Sequence, residues 1–202
     1  MEIDRRADCA GTGASGPWIL SLPEVIAALP DLTSPWTQRT LLQADQAARG
    51  QWYRCELEEW ECLHRIVLPV HCHGKLQLVP PEGSTAAEAA AFLLRHQAEY
   101  LRRSPSCYRQ IDRVDRQDNA PIVLMNRGVA EVMKRQEWCY ERLVCKPGRV
   151  VHLDGLHRLV ARAIWNAKES GLGLRKVTAY IAGLPPFEWL PAAPIRSAGD
   201  GP

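Results

Sequence analysis

The alternation of apolar and polar positions is clearest over residues 140–183. Tyr140 to Cys145 reads as a strand, Lys146-Pro147-Gly148-Arg149 as a turn, and Val150 to Leu153 as the returning strand. Leu156, Leu159, Val160, Ala163, Ile164 and Ala167 then recur at the 3, 4, 7, 8 spacing of one buried helical face. The spacing predicts a helix that opens at Asp154-Gly155-Leu156-His157-Arg158 and runs to Ser170. Gly171 and Gly173 suit the left-handed cap beyond its last turn, and Lys176 to Ile181 is a further strand.

Upstream, Leu22 to Leu29 reads as a short helix with Pro23 in its first turn. Ser34-Pro35 opens a second helix, with Trp36, Thr40, Leu41 and Ala44 on its apolar side and Gly50 after its end. Tyr53, Cys55 and Leu57 alternate with Arg54, Glu56 and Glu58, as in a strand. Ile66-Val67-Leu68 is a β-type run, expected to pair antiparallel with Leu76 to Val79 across Gly74-Lys75. Thr85-Ala86-Ala87-Glu88 is a capping box that introduces a helix to Arg103, with Ala86, Ala90, Leu93, Leu94 and Leu101 inward. Residues 107–119 are polar and read as a loop, and Val129 to Trp138 as another helix. The expected class is α+β. Residues 17–183 form one domain, with an extension over 17–75 and a core from 76 to 183, between a mobile tail (1–16) and an exit tail (184–202).

Composition narrows the function. The chain has 202 residues, 46% hydrophobic and 24% charged, which suits a globular protein with a real core. A net charge of +2 argues against a strong electrostatic footprint on nucleic acid. No apolar run approaches a membrane span, and Arg5-Arg6 has no apolar signal core after it, so a cytoplasmic protein with reduced thiols at its seven Cys is expected. The Ala- and Arg-rich composition with many Pro suggests a high-GC bacterial source.

The strand-to-helix junction carries the chemistry. Asp154 can cap the helix, and Gly155 lets the backbone turn and approach a ligand closely. The first turn supplies free N–H groups and the positive end of the helix dipole, with Leu156, His157 and Arg158 in that turn. This is an anion pocket suited to phosphate, sulfate or carboxylate. The bland alternative has Asp154 as a simple cap, Arg158 paired with a surface carboxylate and His157 packed on a neighbouring strand.

His152-Leu153-Asp154-Gly155-Leu156-His157-Arg158-Leu159-Val160-Ala161 resembles the D-G-x-H-R segment of the ParB/sulfiredoxin-like fold, nearest its free-serine-kinase branch. Pro121-Ile122-Val123-Leu124 corresponds to the strand that precedes the hairpin in that superfamily, with 126–139 as a long insertion. The resemblance covers no more than a third of the chain. It implies that the turn holds nucleotide phosphates, with ATP or ADP and magnesium as cofactors. It also implies a carboxylate base after the first strand; Glu82 matches by position, with Glu56, Glu58 and Glu59 as competitors. The sulfiredoxin branch places a Cys immediately before the His-Arg pair. Leu156 stands there, so that activity is not expected.

Cys62-x-His64 followed by His71-Cys72-His73 offers zinc-type ligands, but in no standard spacing. A strand over 66–73 would send His71 and His73 to one face and Cys72 to the other, so no metal site is expected. The seven Trp share no spacing; they suit core packing or the lining of a small-molecule pocket.

Three function classes follow. The first is a small-metabolite enzyme holding a substrate with an anionic group at Asp154–Arg158, with phosphotransfer to an amino-acid-like hydroxyl as its sharpest form and His157 and Arg158 stabilising developing charge. The same pocket also suits elimination, or ring-forming displacement, of a phosphate or sulfate ester in bacterial secondary metabolism. The second is a nucleotide-responsive DNA-binding protein, disfavoured by the near-neutral charge and the short segment after Ile181. The third is a non-catalytic subunit, and either a homo- or a hetero-oligomer is compatible with the sequence.

Overall fold

Alternating side chains along the strands build two cores from one sheet. The computed structural model describes residues 18–29, 34–71, 76–115, 120–168 and 176–186. Among these, the strands are β1 (Trp18–Leu20), β2 (Trp52–Glu58), β3 (Ile66–Leu68), β4 (Ser84–Thr85), β5 (Ile122–Met125), β6 (Val150–Asp154) and β7 (Lys176–Ala182). They form a single mixed sheet in the order β1-β2-β7-β5-β6-β3-β4. β3 runs parallel to β6 and β5 parallel to β7, while the other pairings are antiparallel. The helices are α1 (Leu22–Ala27), α2 (Pro35–Ala47), α3 (Glu59–Arg65), α4 (Ala86–Arg95), α5 (Gln97–Arg103), α6 (Pro105–Asp112), α7 (Arg127–Met133) and α8 (Leu156–Lys168).

The period of two sorts the strand residues. Leu57, Ile66, Leu68, Ile122, Leu124, Val150 and Ile181 share a core with α3, α4, α6 and α8. Their neighbours Val67, Val123, Met125, Val151, Leu153 and Ala182 share a second core with α1, α2, α7 and the segment 139–145. The result is a mixed α and β protein with helices on both sheet faces. Among the described residues, no helix is long and apolar enough to cross a membrane.

Several elements differ from the sequence expectation. Residues 140–142 form a turn and 143–145 an irregular segment rather than a strand, so the expected hairpin with 150–153 is absent. β6 already has β5 on one edge and β3 on the other, which leaves no edge for a hairpin partner. Instead Tyr140, Leu143 and Cys145 fill the second core. Leu76 to Val79 is not the partner of β3 either, because β4 occupies that edge; a lone bridge between His71 and Val79 is what the segment keeps. The helix from Thr85 breaks at His96, where φ is −117° and ψ 23°, so α4 and α5 are separate and Leu101 is exposed. The polar stretch from 107 instead continues α6, which starts on Pro105 and buries Cys107 and Ile111 one turn apart. The helix expected over 129–138 ends at Met133. The tail 1–16, the Gly74-Lys75 turn, Cys72, His73, Gly171, Gly173 and the exit tail from 187 lie outside the described residues.

Candidate functional site

Parallel pairing places the ends of β3 and β6 on one edge of the sheet. Ile66 and Val67 lie opposite Val150 and Val151, so Pro69-Val70-His71 emerges beside Asp154-Gly155. β5 is antiparallel to β6, which brings the residues preceding it, Ala120 and Pro121, to the same edge. A cleft of about 930 Å³ opens there. Ligands of sheet proteins commonly bind outside the carboxyl ends of parallel strands. The first turns of α2 and α8, both 13 residues long, face this cleft through Ser34, Trp36 and Thr37 and through Leu156 to Arg158. Each turn brings the positive end of a helix dipole to the site.

The 154–158 turn is tightly arranged. Gly155 has φ +99°, and a Cβ on it would lie 2.9 Å from Arg158 Nη2 and 3.1 Å from Ile122 Cγ2. Arg158 Nη2 donates to the Pro121 carbonyl at 3.0 Å and to Asp154 Oδ2 at 3.3 Å. Both contacts use Nη2, which leaves the donors on Nε and Nη1 for a ligand. Asp154 therefore serves to orient Arg158. The expected partner of Arg158, a carboxylate, is present, but it lies inside the cleft rather than on an outer surface.

His152, on β6, is the buried polar group of the cleft wall. It is 5% exposed, and among the described residues neither ring nitrogen has a hydrogen-bond partner. Burial pushes its pKa down to about 3; the Arg158 guanidinium and then the nearby His157 add to the shift, and the Asp154 backbone opposes it. The imidazole is thus neutral at ordinary pH, with both ring nitrogens themselves buried.

At the other side of the 154–158 turn, three side chains from distant segments converge. His157 Nε2 lies 3.2 Å from His71 Nε2, with the rings edge to face. Cys107 Sγ lies 3.3 Å from His71 Nε2 and 3.4 Å from His157 Nε2. His71 is held by its backbone, which accepts from Leu78 N at 3.0 Å. Cys107 sits fully buried on α6, and buried Ser104 donates to the Leu76 carbonyl at 3.1 Å, which ties the start of that helix to the residues that bridge His71 at Val79. Among the described residues, this is the group of His, Cys, Asp and Glu whose ligand atoms are close enough to share a metal ion. Sequence spacing named His71 and His157 in different constellations and missed Cys107, whose pairing depends on α6 packing against α8.

Two tryptophans form the outer wall, Trp36 on α2 and Trp138 in the turn after α7. The turn is anchored to α2 by a two-pronged ion pair, Arg39 Nε to Glu137 Oε1 at 2.9 Å and Nη2 to Oε2 at 3.2 Å. Cys139 also lines the cleft, but burial, followed by the Glu137 charge, pushes its thiol up to about 12, so it is not a thiolate nucleophile.

Other sequence candidates lie elsewhere. Glu82 is exposed, faces Arg142 at 3.7 Å, and does not line the cleft; its carbonyl accepts from Val144 N at 2.9 Å. Glu56 bonds Arg54 and Thr178 on the sheet, and Glu58 is exposed at the end of β2. Cys62 is buried while His64 is exposed beside a second cavity of about 640 Å³ with Arg65, Glu88 and Arg149. Of the seven Trp, Trp52 is core, with its indole N–H donated to Asp45 Oδ1 at 2.7 Å.

Comparison with known proteins adds a family but no activity. Neither a curated protein nor a solved structure matches the chain. A family model does match, over residues 33–199, and it spans all the elements that line the cleft. The chain belongs to this family, described as a family of unknown function (DUF6309).

Proposed function

We propose that the protein is a small-metabolite enzyme whose substrate carries a phosphate or sulfate group, seated at Asp154–Arg158. The observation that carries this reading is the Arg158 guanidinium at the head of α8, held through Nη2 with its Nε and Nη1 donors left over, in a cleft large enough for a small molecule. Helix N–H groups and a guanidinium together suit an oxyanion. Trp36 and Trp138 suit an apolar or planar part of the same substrate. Phosphotransfer to an amino-acid-like hydroxyl, with ATP or ADP and magnesium, is the leading reaction. Its base would be Asp154, the carboxylate among the described cleft-lining residues, in place of Glu82. Elimination or ring-forming displacement of a phosphate or sulfate ester uses the same anion seat for its leaving group.

The test is a thermal-shift panel of inorganic phosphate, sulfate, ADP and ATP with magnesium, and phosphorylated amino acids, on wild type and Arg158→Gln. A ligand that binds the folded state alone raises its melting temperature. A phosphate- or sulfate-bearing compound is expected to stabilise wild type and to lose that effect in Arg158→Gln. Equal shifts in both proteins, or none with any anion, would reject the reading.

A further inference from the structure

We infer that His71, Cys107 and His157 form a binding site for a divalent transition-metal ion of the zinc type, with its fourth coordination position open to the cleft.

The first argument is geometric. Zinc holds imidazole nitrogen at about 2.0–2.1 Å and thiolate sulfur at about 2.3 Å, so a tetrahedral centre spaces two such nitrogens about 3.3 Å apart and nitrogen and sulfur about 3.5 Å apart. The three separations here, 3.2, 3.3 and 3.4 Å, form a triangle of that size with every edge slightly shorter. Both imidazoles use Nε2, and the same two nitrogens and one sulfur make all three edges.

The second argument is that neutral hydrogen bonds hold at most two edges of the triangle. Each Nε2 carries either one proton or one lone pair directed away from its ring. If Cys107 donates to His157 and His71 donates to sulfur, the two Nε2 atoms still stand 3.2 Å apart with no bond between them. A cation at the centre engages all three atoms at once.

The third argument concerns ligand type and access. Two imidazoles and one thiolate are borderline-soft donors suited to zinc, and three protein ligands with an open position is the pattern of catalytic rather than structural zinc sites. His71 and His157 line the cleft, whereas Cys107 is fully buried behind them. The open position thus looks toward the space that holds the anion seat. Binding converts the Cys107 thiol to a thiolate and releases its proton to solvent. A metal here would polarise a substrate oxygen or a water at the cleft floor.

This centre shares the cleft with the proposed anion site but does not depend on it. The probe is cobalt(II), which reports a thiolate ligand by charge-transfer absorption in the near ultraviolet. Metal-stripped wild type is expected to develop that band to saturation at one equivalent, and zinc is expected to erase it. Cys107→Ser should lose the band, His71→Asn and His157→Asn should each weaken binding by about tenfold or more, and Cys145→Ser should behave as wild type. Absence of the band in wild type overturns the proposal, whatever the folding of the variants. So does a band that survives in folded Cys107→Ser. An intact cobalt band without anion stabilisation would reject the anion reading alone; anion stabilisation without cobalt binding would reject the metal centre alone.

Discussion

His71 and His157 meet Nε2 to Nε2 at 3.2 Å although 86 positions separate them. Parallel pairing of β3 with β6 makes that contact, because each histidine follows the end of one of these strands. Cys107 joins them through α6, which Ser104 ties to Leu76, close to the Leu78–Val79 backbone that pairs with His71. Ser104→Ala is therefore expected to destabilise the fold by about 1 kcal/mol, the worth of a buried hydrogen bond. It should also weaken cobalt binding, since α6 and the residues paired with His71 would no longer be held in register. Urea unfolding and a cobalt titration check this; unchanged affinity in the variant would show that the bond has no part in positioning the three ligands.

Gly155 and Gly148 both have positive φ, at +99° and +71°, but in different surroundings. A Cβ at Gly148 meets nothing within 4 Å, whereas one at Gly155 collides with Arg158 and Ile122. Gly148→Ala is expected to lose about 1 kcal/mol from the left-handed backbone alone. Gly155→Ala should lose on the order of 3 kcal/mol, since crowding adds to the backbone term. It should also abolish any stabilisation by phosphate or sulfate, because Arg158 must move. Denaturant midpoints for the two variants decide it: equal losses would mean that the close approach is relaxed at no cost.

The sequence made β6, α8 and β7 legible because each carries a strong local signal. Val150 to Leu153 is bounded by a Pro-Gly turn and a glycine junction, and α8 buries Leu156, Leu159, Val160 and Ile164 at helical spacing. The same local reasoning put a strand at Tyr140 to Cys145. Its apolar residues are inward, but they reach the core from a turn and an irregular segment because both edges of β6 are occupied. Edge occupancy is a property of the whole sheet and leaves no local mark. The site divided in the same way. Asp154 to Arg158 was readable as the glycine-bearing strand-to-helix junction that lines the cleft, since five consecutive residues carry it. Cys107 was not, because its partners come from the segment after β3 and from α8, and its helix was hidden by polar residues on the solvent side. Ser104-Pro105 carries the missed signal, because Pro105 stands in the first turn of α6, where proline opens a helix.

Arg39 and Glu137 tie α2 to the turn that carries Trp138. The carboxylate is 4% exposed, while the guanidinium is 58% exposed. Removing the arginine strands a buried charge, so Arg39→Ala is expected to lose about 2 kcal/mol. The surface pair of Arg103 and Glu99 is open to water on both sides, and Arg103→Ala should leave the unfolding midpoint nearly unchanged. Arg39→Ala should also quench less or shift less in Trp138 fluorescence on ligand binding, because the cleft wall loosens. Similar midpoints for the two variants would mean that water reaches Glu137 freely.

The pH dependence of stability should carry the signature of His152. Its pKa is depressed from 6.5 to about 3 in the folded protein, with burial as the main cause. The unfolded chain takes up this proton near its ordinary pKa, but the folded protein does not until far lower pH. Unfolded molecules thus bind more protons throughout the interval, and stability must rise with pH across it. The contribution is fully present above the unfolded pKa and shrinks as pH falls from 6.5 toward 3. Between pH 7 and pH 5 the loss from this one group should be about 2 kcal/mol, from 1.36 kcal/mol per pH unit. Glu24, Glu88 and Glu99 have lowered pKa values, so their contributions fade only below the ordinary carboxylate range and leave this window largely clear. His152→Gln cannot take up the proton and keeps a polar group at the cleft wall. Urea unfolding of both proteins at pH 7 and pH 5 should show the larger decline in wild type, by about 2 kcal/mol. Parallel declines would mean that the ring protonates in the folded state, either because water reaches it or because the chain opens around it.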